Sequence, residues 1–297
     1  MTFAKILCPI DFSPTSGHAL RMAIELAKTS SCELVIAHAW HAPALYFSEL
    51  AYDSHVDEQL VKTAETELAA ALREAHTAGL EKVSTKLLEG IAATAITSLL
   101  DTDAAFDLVV IGANGRSGLA RVLMGSVAEK VVRHAPCSVM AVHSTHSIAA
   151  FRNVLCPIDF SPSSLDAFRL AKTLVAQNGS LRLLHVLDVP TSYSDVPAMA
   201  ALLSELDQRS SADLDSLVAS TSTGVRVGKS TRIGSPGRQI LALLESEPGF
   251  DLVVMGTHGR TGVRRAILGS VAEKVVRHSP CPVIVARDRT TDSSPHS

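Results

Sequence analysis

The residues best placed to do chemistry occur twice. Gly112-x-x-Gly115, nine further residues and Gly125-Ser126 are matched by Gly256-x-x-Gly259, nine residues and Gly269-Ser270. Each pattern lies between an apolar run and a helical pattern. Glycine there lets the backbone turn at positive φ and approach a ligand, and the free N–H groups at a helix start attract anions. A phosphate is the natural occupant. The plainer use is structural: Ser126-x-x-Glu129 and Ser270-x-x-Glu273 have the spacing of capping boxes, with the glycines serving a tight loop. A carboxylate, Asp11 or Asp159, closes the opening apolar run of each half. An ionised Asp repels phosphate, so it suits a ribose hydroxyl, or a metal ion neutralising a phosphate tail. The alternative is a turn-forming Asp ahead of a Ser-Pro helix start.

The elements that must position these groups also repeat. Lys5 to Pro14, KILCPIDFSP, returns as Asn153 to Pro162, NVLCPIDFSP, at an offset of 148, and Gly125 to His134 returns unchanged at Gly269 to His278, at an offset of 144. Offsets near half the chain far exceed a solenoid period, so each copy is a whole domain. The division predicted is 1–146 and 150–290, with the seam in the small polar stretch His143 to Ala150. Within the first half, Ala4 to Ile10 reads as a strand that feeds a helix through Ser13 as N-cap and Pro14 at its first position. A second strand follows at Glu33 to Ala39, a long helix at about Asp57 to Ala78, an alternating strand near Lys82 to Leu88 and a short helix near Ala92 to Leu100. Asp107 to Ile111 is apolar without alternation, as in a strand covered on both faces. A helix from Ser126 and a last strand at Ser138 to Val142 complete the half. Strands alternating with helices imply a parallel sheet with helices on both sides. If the first and fourth strands are neighbours, Asp11 and the Gly112 loop flank one crevice at the reversal of strand order, where open α/β sheets bind ligands.

Composition narrows the function. With 27 Lys+Arg against 30 Asp+Glu, the net charge of −3 supplies no field for a polyanion, so nucleic acid is not expected as a partner. Hydrophobic residues at 46% can build a core, and no apolar run reaches the ~18 residues that span a bilayer, so the expectation is a soluble cytoplasmic protein without membrane contact. Five Cys without a C-x-x-C pair argue against disulfides and structural zinc; they read as reduced and mostly buried, with Cys32 the one that invites a redox role. Gly224 to Ser230, GVRVGKS, is one residue short of a P-loop and reads as turn and strand. His38-x-x-His41 and His143-x-x-His146 lack a nearby carboxylate or Cys cluster, so no metal ligands are assigned.

The I-L-C-P-I-D-F-S type start of each half and the doubled, correctly placed G-x-x-G-(nine)-G-S resemble the universal stress protein family in its tandem form, over nearly the whole chain. The resemblance implies two Rossmann-like α/β domains of the adenine nucleotide alpha hydrolase-like type. Each would be a five-stranded parallel sheet of order 3-2-1-4-5 with helices on both faces. It further implies ATP, carrying Mg2+ on its phosphates, at the switch point, and pairing of the two domains through their last strands. Carried over, Asp11 meets ribose, Ala39 the adenine, and Gly112, Asn114, Gly115, Gly125, Ser126 and Val127 the ribose and phosphates. In the second half Asp159, Val186, Gly256, His258, Gly259, Gly269, Ser270 and Val271 take these roles. Arg116 and Arg260 read either as phosphate contacts or as exposed loop residues, and Trp40 as packing beside Ala39.

The motif contains no P-loop lysine and no recognisable general base, so no catalytic residue is assigned. The first expectation is an ATP-binding regulator of stress response with at most slow hydrolysis, acting on an unidentified protein partner. The alternatives are a nucleotide-cleaving or phosphotransfer enzyme using the same cradle, and an interaction protein with empty sites. A homodimer of whole chains stays open.

Overall fold

The computed structural model describes residues 3–41, 54–114, 124–143, 150–188, 197–221, 224–258 and 268–287. The chain divides into two compact units, Met1–Ser147 and Ile148–Ser297. The first contains β1 (Lys5–Pro9), α1 (Pro14–Ser30), β2 (Glu33–Trp40), α2 (Ser54–Thr77), β3 (Val83–Glu89), α3 (Ala92–Thr102), β4 (Leu108–Gly112), α4 (Ser126–His134) and β5 (Ser138–Val142). The second repeats the order as β6 (Phe151–Pro157), α5 (Pro162–Leu174), β7 (Val175–Leu187), α6 (Pro197–Ala219), β8 (Arg226–Ile233), α7 (Pro236–Ser246), β9 (Leu252–Gly256), α8 (Ser270–His278) and β10 (Val283–Ala286).

Within each unit the strands run in parallel, β3-β2-β1-β4-β5 in the first and β8-β7-β6-β9-β10 in the second. This is the 3-2-1-4-5 order, and it places β1 beside β4 with Leu7 opposite Val109, and β6 beside β9 with Leu155 opposite Val253. The sequence explains why. Leu108 to Ile111 and Leu252 to Met255 are buried without alternation, as strands covered on both faces must be. In the first unit α1 packs on α2 and α3 on α4, and both pairs pack on the sheet. The edge strand β3 is largely exposed and carries Lys86 and Glu89, which suits a sheet margin.

Both first helices start as their sequences predict. Ser13 Oγ accepts from Ser16 N at 3.2 Å and Ser161 Oγ from Ser164 N at 3.3 Å, with proline at the next position in each. Their ends differ. Helix α1 stops at Ser31 in the left-handed region, whose N–H bonds back to Ala27 and Lys28. Helix α5 is four residues shorter, 13 against 17, and β7 begins at once, with an irregular register between Phe151 and Asn153. Gly179 sits in that irregularity, where a β-carbon would stand 2.8 Å from the Arg152 carbonyl. Gly224 lies in a turn and Arg226 opens β8, so the P-loop-like stretch is turn and strand. Among the described residues no helix is long and apolar enough to cross a membrane.

Candidate functional site

The first unit brings Asp11 and the Gly112 segment to one place. Asp11 directly follows β1 and Ile10, and its Oδ1 accepts from Ser13 N at 3.1 Å, while its own N–H donates to Ser16 Oγ at 3.3 Å. The turn-forming reading of Asp11 is therefore realised. On the neighbouring strand, β4 ends at Gly112, where a β-carbon would lie 3.1 Å from Ser16 N and from the Thr15 carbonyl carbon. The strand end thus sits against the first turn of α1. Ala113 N donates to Val142 O at 2.9 Å, and Gly125 N donates to Ala113 O at 2.7 Å, which ties the base of the glycine loop where α4 begins. Gly115 and Arg116 lie outside the described residues.

The second unit repeats this with additions. Asp159 Oδ1 accepts from Ser161 N at 3.0 Å and from Ser161 Oγ, and Asp159 N donates to Ser164 Oγ at 3.4 Å. Gly256 is tighter than Gly112: a β-carbon would stand 2.8 Å from the Ser163 carbonyl carbon and 2.9 Å from its oxygen. Ser163 Oγ donates to His258 O at 2.7 Å, Thr257 Oγ1 lies 2.7 Å from His258 Nδ1, and Gly269 N donates to Thr257 O at 2.7 Å. In the first unit Thr15, Ala113 and Asn114 occupy these places. Gly259 and Arg260 lie outside the described residues.

Two expectations are corrected. Ser126 and Ser270 do not cap their helices. The N-caps are Gly125 (φ −65°, ψ 145°) and Gly269 (φ −65°, ψ 149°), neither with a side-chain cap bond, and Glu129 and Glu273 pair instead with Arg133 and Arg277 one turn on, at 3.4 and 3.2 Å. Capping boxes need the Ser one position earlier. Nor do Gly112, Gly125, Gly256 and Gly269 adopt positive φ. Space is what Gly112 and Gly256 supply, because a β-carbon would crowd the first helix turn at Gly112 and overlap it at Gly256, and Gly269 lies 3.1 Å by the same measure from Thr257 O.

Positive φ occurs where the sequence did not suggest it. Phe12 and Phe160, directly after the two aspartates, have φ of 63° and 64°. For a bulky residue this costs roughly 1–3 kcal/mol and persists only where neighbours hold it. Each ring contacts a histidine of the adjacent strand: Phe12 and His38 have centroids 4.3 Å apart, Phe160 and His185 5.0 Å. His38 Nδ1 lies 2.8 Å from Ile10 O, and His185 Nδ1 2.7 Å from Ile158 O. Weighing His38 only as a metal ligand missed this role. The signal was available, since a His precedes both Ala39 and Val186 on the matching strand. Ala39 and Val186 are half-buried at the carboxyl end of β2 and β7.

The cysteines take no part. All five are free and buried. Burial pushes the Cys8 and Cys156 thiols far above their usual range and, with the nearby Asp107 charge, raises Cys32 to about 11. Such a thiol carries too little thiolate at neutral pH for redox chemistry. At the opposite, amino end of the second unit's strands a cavity of about 530 Å3 is lined by Arg182, Arg226 and Glu247 among others. It contains none of the predicted site residues.

Two parallel α/β units, each with its strand order reversing between the first and fourth strands, define the doubly wound fold class. A model described as the universal stress protein family matches residues 2–143 and again 150–287, and the chain belongs to that family. A universal stress protein of Mycolicibacterium smegmatis is 29% identical over 295 residues, covering 96% of this chain and 97% of the relative. One of Mycobacterium tuberculosis is 31% identical over 205 residues, 67% of this chain and 68% of the relative. Among solved structures, a universal stress protein of Archaeoglobus fulgidus covers 96% of this chain and 98% of its own, with a TM-score of 0.64 at 24% identity, a likeness of fold.

Proposed function

We propose that the protein is an ATP-binding regulator with one adenine-nucleotide site per half. The observation that carries this reading is the start of α4 and α8, where the N-caps Gly125 and Gly269 supply no side-chain bond to the first-turn amides that follow, beside a carboxylate turn at the switch point. Exposed amides at a helix start suit phosphate, stabilised by roughly 0.3–1 kcal/mol from the helix dipole and more when partly buried. The doubling of the whole arrangement supports the reading, and the family's pattern gives the residue roles. Asp11 and Asp159 receive ribose hydroxyls, Ala39 and Val186 line the adenine, and Gly112, Asn114, Gly115, Gly125, Ser126 and Val127 hold ribose and phosphates in the first half. Gly256, His258, Gly259, Gly269, Ser270 and Val271 do so in the second. Mg2+ is carried on the phosphates, as the family's pattern implies.

Occupancy then acts by differential binding to two conformations. Hydrolysis is slow, because the motif brings no P-loop lysine. The test is to denature purified protein, identify released nucleotide by mass spectrometry and count equivalents per chain. Two equivalents of ATP are expected. A protein that neither retains nor takes up adenine nucleotide would leave the reading without support, and steady-state turnover above roughly one per second would replace it with an enzyme.

A further inference from the structure

Both crevices share a feature that no ribose or phosphate contact accounts for. We infer that His38 and His185 are positioning residues of the two sites, each ring holding the backbone kink at Phe12 or Phe160 from which Asp11 or Asp159 is presented. The inference rests on the nucleotide reading above but concerns residues outside its ligand set.

A carbonyl oxygen can only accept, so the bonds to Ile10 O at 2.8 Å and Ile158 O at 2.7 Å place a proton on Nδ1 in both halves. Ile10 N still belongs to the ladder, donating to Ala37 O at 2.8 Å, as Ile158 N does to Leu184 O at 2.8 Å. In a parallel ladder the Ile10 carbonyl would next accept from the amide of Ala39. Here the His38 ring nitrogen reaches it, and the chain leaves the sheet. The ring face supplies the second hold, 4.3 Å from the Phe12 ring and 5.0 Å from Phe160 in the other half. The bond from Ser13 N to Asp11 Oδ1 spans the kinked residue, as that from Ser161 N to Asp159 Oδ1 does. Imidazole, kink and carboxylate therefore form one linked unit. The residue after each histidine is Ala39 or Val186, so one strand segment sets the carboxylate with one side chain and lines the base with the next. The linkage occurs in both halves, with the imidazole bonds at 2.8 and 2.7 Å.

The test uses the full chain as wild type, as His38→Leu/His185→Leu, which removes both donors, and as His38→Asn/His185→Asn, whose amide nitrogen can stand near the Nδ1 position. Mg-ATP is titrated by calorimetry, and exchange of the Ser13 and Ser161 amides is followed by NMR. The Leu pair is expected to bind about tenfold more weakly, equal to about 1.4 kcal/mol, with faster exchange at both amides, and the Asn pair to recover most of both losses. Should the Leu pair not fold, Phe12→Asn/Phe160→Asn takes its place, since Asn tolerates the left-handed backbone without supplying the ring, and about threefold weaker binding is expected. Wild-type affinity or unchanged amide exchange in whichever pair folds overturns this inference alone. Failure of the wild type to take up ATP removes the nucleotide reading, and this inference with it.

Discussion

The two halves share a common frame at the carboxyl ends of their strands, with local differences in tightness, and use different residues at the amino ends. At the carboxyl ends the Asp turn, the left-handed Phe, the His bond to a carbonyl and the tied loop base recur with nearly equal geometry. At the amino ends a different cation does the same task. In the first half Lys5, on β1, bonds Asp103 at 2.9 Å, lies 3.5 Å from Glu33 and sits 4.7 Å over the Phe106 ring. In the second half Asn153 holds that place, and Arg182, on β7, bonds Glu247 at 2.6 Å with its guanidinium 5.6 Å from the Phe250 ring. A structural corner needs only a cation over an aromatic ring beside a carboxylate. The proposed nucleotide sites need particular atoms in particular places.

The largest expected effect separates the two crevices by tightness. Gly256→Ala should destabilise by about 3 kcal/mol and Gly112→Ala by about 1, because the alanine would press on helix backbone at 2.8 Å in one case and 3.1 Å in the other. Urea unfolding measures both, and equal losses would erase the distinction. Next comes a brace of the second half. Ser163→Ala removes the bond to His258 O, which should cost about 1 kcal/mol of stability and weaken ATP at that site while sparing the first.

The third test removes a difference instead. Ala39→Val gives the first crevice the second one's side chain. Two more carbons in a half-buried wall should tighten ATP about fourfold, about 0.8 kcal/mol, in a titration followed through Trp40, the single tryptophan. No tightening would withdraw Ala39 from the adenine wall.

The smallest effect concerns the amino ends. The Lys5 side chain is 19% exposed and Arg182 38%, so Lys5→Met should cost about 1 kcal/mol and Arg182→Met about half that. The pH dependence has a defined sign. The bond from Lys5 holds the Asp103 carboxyl below its usual range, and Asp103 in turn raises Lys5. The Asp103 contribution is present above the ordinary carboxylate value of 3.8 and lost as pH falls through its lower folded value. The Lys5 contribution is present below 10.5 and lost as pH rises through its higher folded value. The stability gap between wild type and Lys5→Met should therefore be flat from about pH 5 to about 9 and shrink on either side, in urea titrations at each pH.

Local signals in the sequence carried far. Ser13-Pro14 placed a helix start, the unbroken apolar run to Ile111 placed a central strand, and the repeat placed a second unit. What they missed depends on contacts made only after folding. Nothing local marks Phe12 for the left-handed region, since its neighbour His38 arrives from another strand. Gly112 is flexible in isolation, and only the meeting of β4 with the first turn of α1 shows that its missing β-carbon is what counts. The capping-box spacing of Ser126 and Glu129 was sound as a pattern and failed by one position, because Gly125 is already committed to Ala113.

That commitment carries a consequence for how such a protein can change. The amide of Gly125 closes on Ala113, and that of Gly269 on Thr257, each at 2.7 Å, so the end of the fourth strand and the start of the last helix of each unit are stapled together. A shift of that helix cannot occur without dragging the strand end or breaking the bond, so any rearrangement at this junction is all-or-none within its own unit.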